Sequence, residues 1–274
     1  MLLPAAFAPD RAPVALVACS DDGALIGAAA IGWAATRDPP AFPVAIHVLP
    51  NQRRHGVGRA LLEAVVAAVR GEAPAVQPWS PLPEGSDAAA FGLACQFTVH
   101  HRILHFECDV QRLEAALAPM RERLDAAGWI PAGARVVPLH AAPAGELAHL
   151  VSREFHTDPA GLLARLRGGV GKPFEPERSL VLLRDDAVVA AQLISIGADG
   201  IPDVEANMVI PTLRRGWANL LLTHEMTRVG FAKWTRRFRF YCDDRVLDTV
   251  NLARRSGAER TRVDLMLLRE VSGA

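Results

Sequence analysis

The chain contains a single tyrosine and only four cysteines, Cys19, Cys95, Cys108 and Cys242, spaced far apart. With no Cys-x-x-Cys pair there is no zinc knuckle, and such scattered thiols do not make a disulfide framework, so reduced cysteines in a cytoplasm are expected. An excess of charge is missing as well, because Lys plus Arg and Asp plus Glu both total 30. No global field draws the molecule to nucleic acid or to an anionic membrane, and any anion site has to be local. Long hydrophobic runs are also absent: the longest, Gly23 to Ala35, falls short of the roughly 20 residues that span a bilayer. Leu16-Val17-Ala18-Cys19 has the look of a lipoprotein cleavage box. However, Met1 to Pro9 carries no positive charge and Asp10-Arg11 interrupts the apolar run, so a buried strand over Val14 to Ala18 is the better reading.

What is present is an ordinary globular composition, half apolar and 22% charged, in 274 residues, which suits two domains. The first part alternates β-like runs with turn signals: Val14 to Cys19, the hairpin signal Asp21-Asp22-Gly23, Leu25 to Ala35, and Val44 to Leu49. Gly56 to Arg70 then has no internal breaker and is apolar almost all round, which predicts a buried helix. Ala75 to Trp79 reads as a strand, Ser86 as the cap of a short helix through Phe91, and Thr98 to Val110 as a further strand. Leu113, Leu117, Met120 and Leu124 recur at helical spacing, with Pro119 expected to kink or break the segment and Gly128 to end it.

The later part repeats the plan. A strand at Arg135 to Leu139 and helices at Ala144 to Phe155 and Ala160 to Leu166 precede strands at Leu180 to Leu183, Val188 to Ile196 and Val204 to Ile210. A helix from Gly216, a strand at Phe238 to Cys242, a helix at Val246 to Arg255 and a strand at Arg262 to Leu268 complete it. Val48-Leu49-Pro50 and Val209-Ile210-Pro211 open equivalent segments, and Gly56 to Leu62 falls opposite Gly216 to Leu222 once one residue is dropped from the second loop. The expected fold is therefore α/β with mixed sheets, as two tandem domains over 1–110 and 135–274 joined by a connector at 111–134.

The chemistry concentrates between Pro50 and Gly58. A helix start offers up to four backbone N–H groups without partners and the positive end of the helix dipole, a ready anion site. Gly56 and Gly58 admit close approach and tolerate positive φ, and Arg53, Arg54 and Arg59 add forked donors suited to phosphate. The bland alternative is a tight strand-to-helix turn with solvated arginines.

The string Arg53-Arg54-His55-Gly56-Val57-Gly58 resembles the Gln/Arg-x-x-Gly-x-Gly/Ala signature of the GCN5-related N-acetyltransferase (GNAT) family, and the strand order of both halves is similar to that family's. The resemblance implies acetyl-CoA as co-substrate, with Ile46, His47 and Val48 bonding the pantetheine arm through their backbone. Arg53, Arg54, His55, Gly56, Val57, Gly58 and Arg59 would surround the pyrophosphate, and the thioester would lie in a notch where the fourth and fifth strands splay. It also implies a second loop, Val209, Arg214, Arg215, Gly216, Trp217 and Ala218, with Asn251 in the later Asn…Gly helix. There Leu213 stands where Gln or Arg belongs, and Arg214 or Arg215 is left to compensate.

Acetyl transfer needs a neutral amine, a route for its proton and stabilisation of an oxyanion. Glu205 is the candidate base and Tyr241 the candidate acid, although Tyr241 is on a strand where the family's tyrosine is on a helix. The opposing reading places Glu205 at a strand end against solvent or an arginine. His100, His101 and His105 are not a metal site, because neighbours on a strand face opposite ways. Arg167 to Lys172 fails as a nucleotide loop at two positions, and Lys233 to Arg239 is too short a basic run for nucleic acid. The expected acceptor is an amine of a small molecule or peptide, and a homodimer is compatible with the sequence. A non-catalytic acyl-CoA sensor or structural module is the rival reading.

Overall fold

The computed structural model describes residues 14–32, 40–72, 74–155, 159–169, 173–214, 216–231 and 235–271. The ends of several expected segments, the run 33–35, residues 170–172, Arg215, and Lys233 with Trp234, lie outside them. Contacts divide the chain into an N-terminal unit, Leu2–Ile103 with Val263–Ala274, and a C-terminal unit, Leu104–Arg262.

The N-terminal unit contains β1 (Val14–Cys19), β2 (Leu25–Ile31), β3 (Phe42–Val48), α1 (Val57–Ala68), β4 (Ala75–Pro78), β5 (Leu82–Pro83) and α2 (Asp87–Ala94). The first part of β6 (Thr98–Asp109) also belongs to it. β1, β2 and β3 form an antiparallel meander and β4 joins β3 in parallel. The next place is taken by the C-terminal strand β12 (Glu259–Glu270), pairing antiparallel with β4 at Arg269↔Val76 and Glu270↔Ala75.

α1 packs on the sheet through Leu61, Leu62, Val65 and Val66. It is not buried all round: Ala60, Ala64, Ala67 and Ala68 face solvent, so its two faces differ in side-chain size more than in polarity. Gly27 on β2 makes room for it, since a Cβ there would stand 3.1 Å from Leu61 and 3.2 Å from Val57. β1 is only half-buried, with Leu16 and Ala18 on the core and Val17 64% exposed. The alternation of a one-sided antiparallel edge replaces the fully buried strand expected there.

The C-terminal unit runs through α3 (Val110–Ala126), β7 (Ala134–Pro138), α4 (Ala144–Phe155), α5 (Pro159–Leu166), β8 (Leu180–Arg184), β9 (Ala187–Ile196) and β10 (Pro202–Val209). It continues with α6 (Trp217–Glu225), β11 (Arg237–Asp243) and α7 (Leu247–Arg255). β7, β8, β9 and β10 are antiparallel neighbours, and β11 joins β10 in parallel.

The stretch expected as a connector is instead core of this unit. α3 buries Leu113 and Leu117, is capped by Asp109 accepting from Gln111 and Arg112, and runs through Pro119 without breaking. Arg123 Nε donates to the Pro119 carbonyl at 3.1 Å, and the helix ends at Gly128, φ 64°. Packing of Leu113 and Leu117 outweighs the single backbone bond a proline removes.

The unit boundaries thus depart from 1–110 and 135–274. The last strand belongs largely to the N-terminal unit, where Leu265, Leu267 and Val271 join the core of α1 and β2.

Candidate functional site: two strand-to-helix loops

In the N-terminal unit β3 pairs with β4 only from Phe42 to Val44. Beyond Val44 no strand pairs with this edge of β3 among the described residues, which leaves a notch between β3 and β4. Which backbone groups line this edge follows from the alternation of an antiparallel ladder. The amide of Leu49 donates to Ile26 and the carbonyl of Pro43 accepts from Gly32, so odd-numbered residues of this stretch turn to β2. Val44 accepts from Trp79 on the other side, which directs Ile46 and Val48 into the notch. His47, expected to share the role of these two, pairs with Ala28 and keeps its backbone groups on β2, while its side chain is exposed.

After β3 the chain makes a single turn at Pro50–Gln52 and reaches Arg53, whose Nε donates to the Val48 carbonyl at 3.2 Å. Arg54 at φ 65° and Gly56 at φ 85° are both left-handed, and α1 starts at Val57. A left-handed arginine is uncommon and marks a loop shaped for something other than local comfort.

No side chain caps α1 and its first turn has no acidic residue. The amides of Arg54, His55, Gly56, Val57, Gly58 and Arg59 donate to no acceptor among the described residues, the first backbone bond of the helix being Ala60 to Gly56 at 3.0 Å. Six donors and the positive helix end therefore converge on an exposed loop.

The two glycines have different jobs. A Cβ on Gly56 would meet nothing within 4 Å, so its φ alone requires glycine. Gly58 is helical, and a Cβ there would stand 3.3 Å from the Phe91 ring, so its small size serves the contact of α1 with α2. Arg59 sends its guanidinium 3.2 Å to the Ala94 carbonyl at the end of α2, and Arg54 makes a loose pair with Asp87 at 3.8 Å, both side chains almost fully exposed. Arg53 and the amides, more than Arg59, are thus the groups left for an anion.

The C-terminal unit repeats the turn. β10 meets β11 at Asp203↔Arg239 and Val204↔Phe240, and β9 pairs with it up to Val209↔Ala190. Arg214 Nε donates to the Val209 carbonyl at 3.3 Å, the same five-residue reach that Arg53 makes, so Arg214 fills the motif's arginine place and the missing residue falls after it.

The rest of the loop differs. Gly216 is extended at φ −119° and its amide is already bound to Leu213 at 3.1 Å, while Arg214 is ion-paired with Glu154. Trp217 and Ala218 open α6, Asn251 is exposed on α7, and Arg215 lies outside the described residues.

Comparison with known proteins bears on the fold. Residues 3–77 match the family model described as the acetyltransferase (GNAT) family. A solved tandem GNAT protein from the clavulanic acid biosynthesis pathway superposes with a TM-score of 0.59 at 19% identity, covering 98% of this chain and 86% of that one. The chain therefore shares the fold of that tandem GNAT protein.

A GCN5-related N-acetyltransferase from Sphaerobacter thermophilus gives a TM-score of 0.57 at 16% identity, with 95% of this chain and 82% of that one covered. Another, from Anabaena variabilis, gives 0.60 at 14% identity, with 93% and 62% covered. No curated protein matches by sequence.

Within the C-terminal unit the two candidate catalytic residues meet, but they meet as a closed cluster. Glu205 sits where the β9–β10 register slips between Val204 and Ala206. One of its oxygens pairs with Arg165 at 2.8 Å, the side chains only 11% and 9% exposed, and the other accepts from the Ser195 hydroxyl. Arg165 stacks on Phe174, 4.1 Å from the ring centre. Tyr241 donates its hydroxyl to the Glu205 carbonyl at 2.8 Å, and burial, followed by the Glu205 charge, pushes its pKa up to about 12.

In the sequence Glu205 and Tyr241 lie 36 residues apart, with nothing to link them. Arg165, the residue that ties up the carboxylate, carried no signal in its own sequence neighbourhood.

Proposed function

We propose that the protein is an N-acetyltransferase that binds acetyl-CoA on the N-terminal unit and passes its acetyl group to an amine of a small molecule or peptide. The observation that carries this reading is the loop of unpaired amides from Arg54 to Arg59 beside Arg53. Backbone donors at a helix start bind phosphate oxygens, and the guanidinium adds a forked, permanently charged partner. Ile46 and the amide of Val48 are turned into the notch, the Val48 carbonyl being bonded to Arg53, which suits the amide-bearing pantetheine arm. In the transfer the amine nitrogen forms a bond to the thioester carbonyl carbon, the C–S bond breaks, the electron pair leaves on the coenzyme sulfur and the amine proton passes to base or water.

Binding of coenzyme A measured by calorimetry tests the placement: Arg53→Glu is expected to weaken it at least tenfold. Retained affinity would move the site elsewhere. Free thiol release from acetyl-CoA over a panel of amines tests the chemistry.

One observation favours a second reading, a non-catalytic acyl-CoA-binding module. The only tyrosine lies in the C-terminal unit, donates to a backbone carbonyl and is held protonated by burial, so it is poorly placed to protonate a leaving thiolate. Coenzyme A binding without thiol release on any amine would establish that reading.

A further inference from the structure

Among the described residues, only the C-terminal unit has helices between its first two strands. In the N-terminal unit β1 and β2 are joined by the short turn 20–24, whereas in the C-terminal unit α4 and α5 stand between β7 and β8. The last turn of each helix sends one charged side chain to β10 or to the loop that follows it. Glu154, in the last turn of α4, pairs with Arg214, and Arg165, in the last turn of α5, pairs with Glu205. The equivalent arginine of the other loop, Arg53, makes the same bond to its strand carbonyl but meets no carboxylate among the described residues.

We propose that α4 and α5 act as an internal latch on the C-terminal unit. Glu154 holds on Arg214 the place a phosphate would take, so this unit carries no acyl-CoA while the latch is shut. The proposal rests on the reading of the N-terminal loop as the coenzyme A site.

Three features make the latch more than a surface pair. The Glu154 carboxylate is two-thirds shielded and Arg214 half-shielded, so the charges are partly withdrawn from solvent. A negative group there both occupies the guanidinium and repels an incoming pyrophosphate. Behind it, the Tyr241 hydroxyl donates to the Glu205 carbonyl just past the last β10–β11 pair, Val204↔Phe240, and ties the two strands together where they would otherwise separate. The Arg165–Glu205 pair then fixes α5 over that point.

Coenzyme A titration of the full chain by calorimetry tests the latch. The wild type is expected to bind one molecule per chain and Arg53→Glu none in the same range. Arg53→Glu/Glu154→Gln is expected to regain one site, at least tenfold tighter than Arg53→Glu alone, and adding Arg214→Glu should abolish it again. Circular dichroism and melting confirm the fold of each variant, and Glu154→Ala replaces Glu154→Gln should the latter fail to fold.

Two molecules bound by the wild type, or a folded double variant that binds no better than Arg53→Glu, overturns the latch and leaves the N-terminal placement intact. Arg53→Glu that still binds one molecule, with the loss appearing in Arg214→Glu, overturns both.

Discussion

The Phe91 ring lies against Gly58, 3.3 Å from where a Cβ would stand, and this contact separates two glycines that look alike in the motif. Gly56, two residues earlier, has open space around it and a φ of 85°. Gly56→Ala is therefore expected to cost about 1–2 kcal/mol through left-handed backbone strain. Gly58→Ala is expected to be near neutral. The roughly 1 kcal/mol gained by replacing a helical glycine is offset by displacing a ring that is already partly exposed. Urea unfolding of both variants checks this, and equal losses would contradict the assignment of separate roles.

Glu205 and Arg165 form a pair whose rupture leaves one charge shielded and uncompensated. Glu205→Gln is expected to destabilise the protein by about 3 kcal/mol, at the lower end for a broken buried pair because both partners keep some exposure. The same variant should turn over amines at the wild-type rate if acyl transfer belongs to the N-terminal unit. A loss of kcat with unchanged unfolding would instead make Glu205 the base.

The outline of the fold was legible because strands and helices announce themselves locally. The alternating runs, the breaker-free segment after Gly56, the Ser86 cap and the repeat of Val-x-Pro all match elements of the structure, and the cap is made by Ser86 accepting from Ala89 at 3.2 Å. What stayed hidden depends on partners far along the chain. Nothing near Arg165 says that it will meet Glu205 forty residues later, and nothing in Pro119 says that Leu113 and Leu117 will hold its helix straight through a missing bond. The motif itself was readable, but not the division of labour within it: Arg59 turned to α2, and His47 faced β2.

The lone tyrosine makes pH a clean probe. An unfolded phenol ionises near 10, whereas burial holds the Tyr241 hydroxyl protonated to about 12. Because the folded value is the higher one, the stabilisation is complete below pH 10 and is lost as pH rises from there towards 12, by up to roughly 3 kcal/mol. Cys242 is pushed up to about 11 by burial and titrates in the same range, so the difference between wild type and Tyr241→Phe isolates the phenol. Tyr241→Phe should lose about 1 kcal/mol at neutral pH with its hydrogen bond to Glu205 and show the shallower alkaline decline. Parallel alkaline curves for the two proteins would show that Tyr241 is not the group responsible.

The C-terminal strand yields the most severe test of how the N-terminal unit is built. Residues 263–271 supply Leu265, Leu267 and Val271 to its core, and Arg269 makes two bonds to Glu63 of α1, at 2.9 and 3.0 Å. Each large apolar side chain returned to water costs on the order of 1.5–3 kcal/mol. Their joint loss, with the exposed edge of β4, approaches the whole stability of an ordinary domain of about 5–15 kcal/mol. A chain ending at Arg262 is therefore expected to lose coenzyme A binding, although the loop from Arg53 to Arg59 is intact in sequence. Amide hydrogen exchange should show protection lost across β1 to β4 and α1. Retained binding with protected amides would mean that the meander and α1 hold the loop in shape without the final strand.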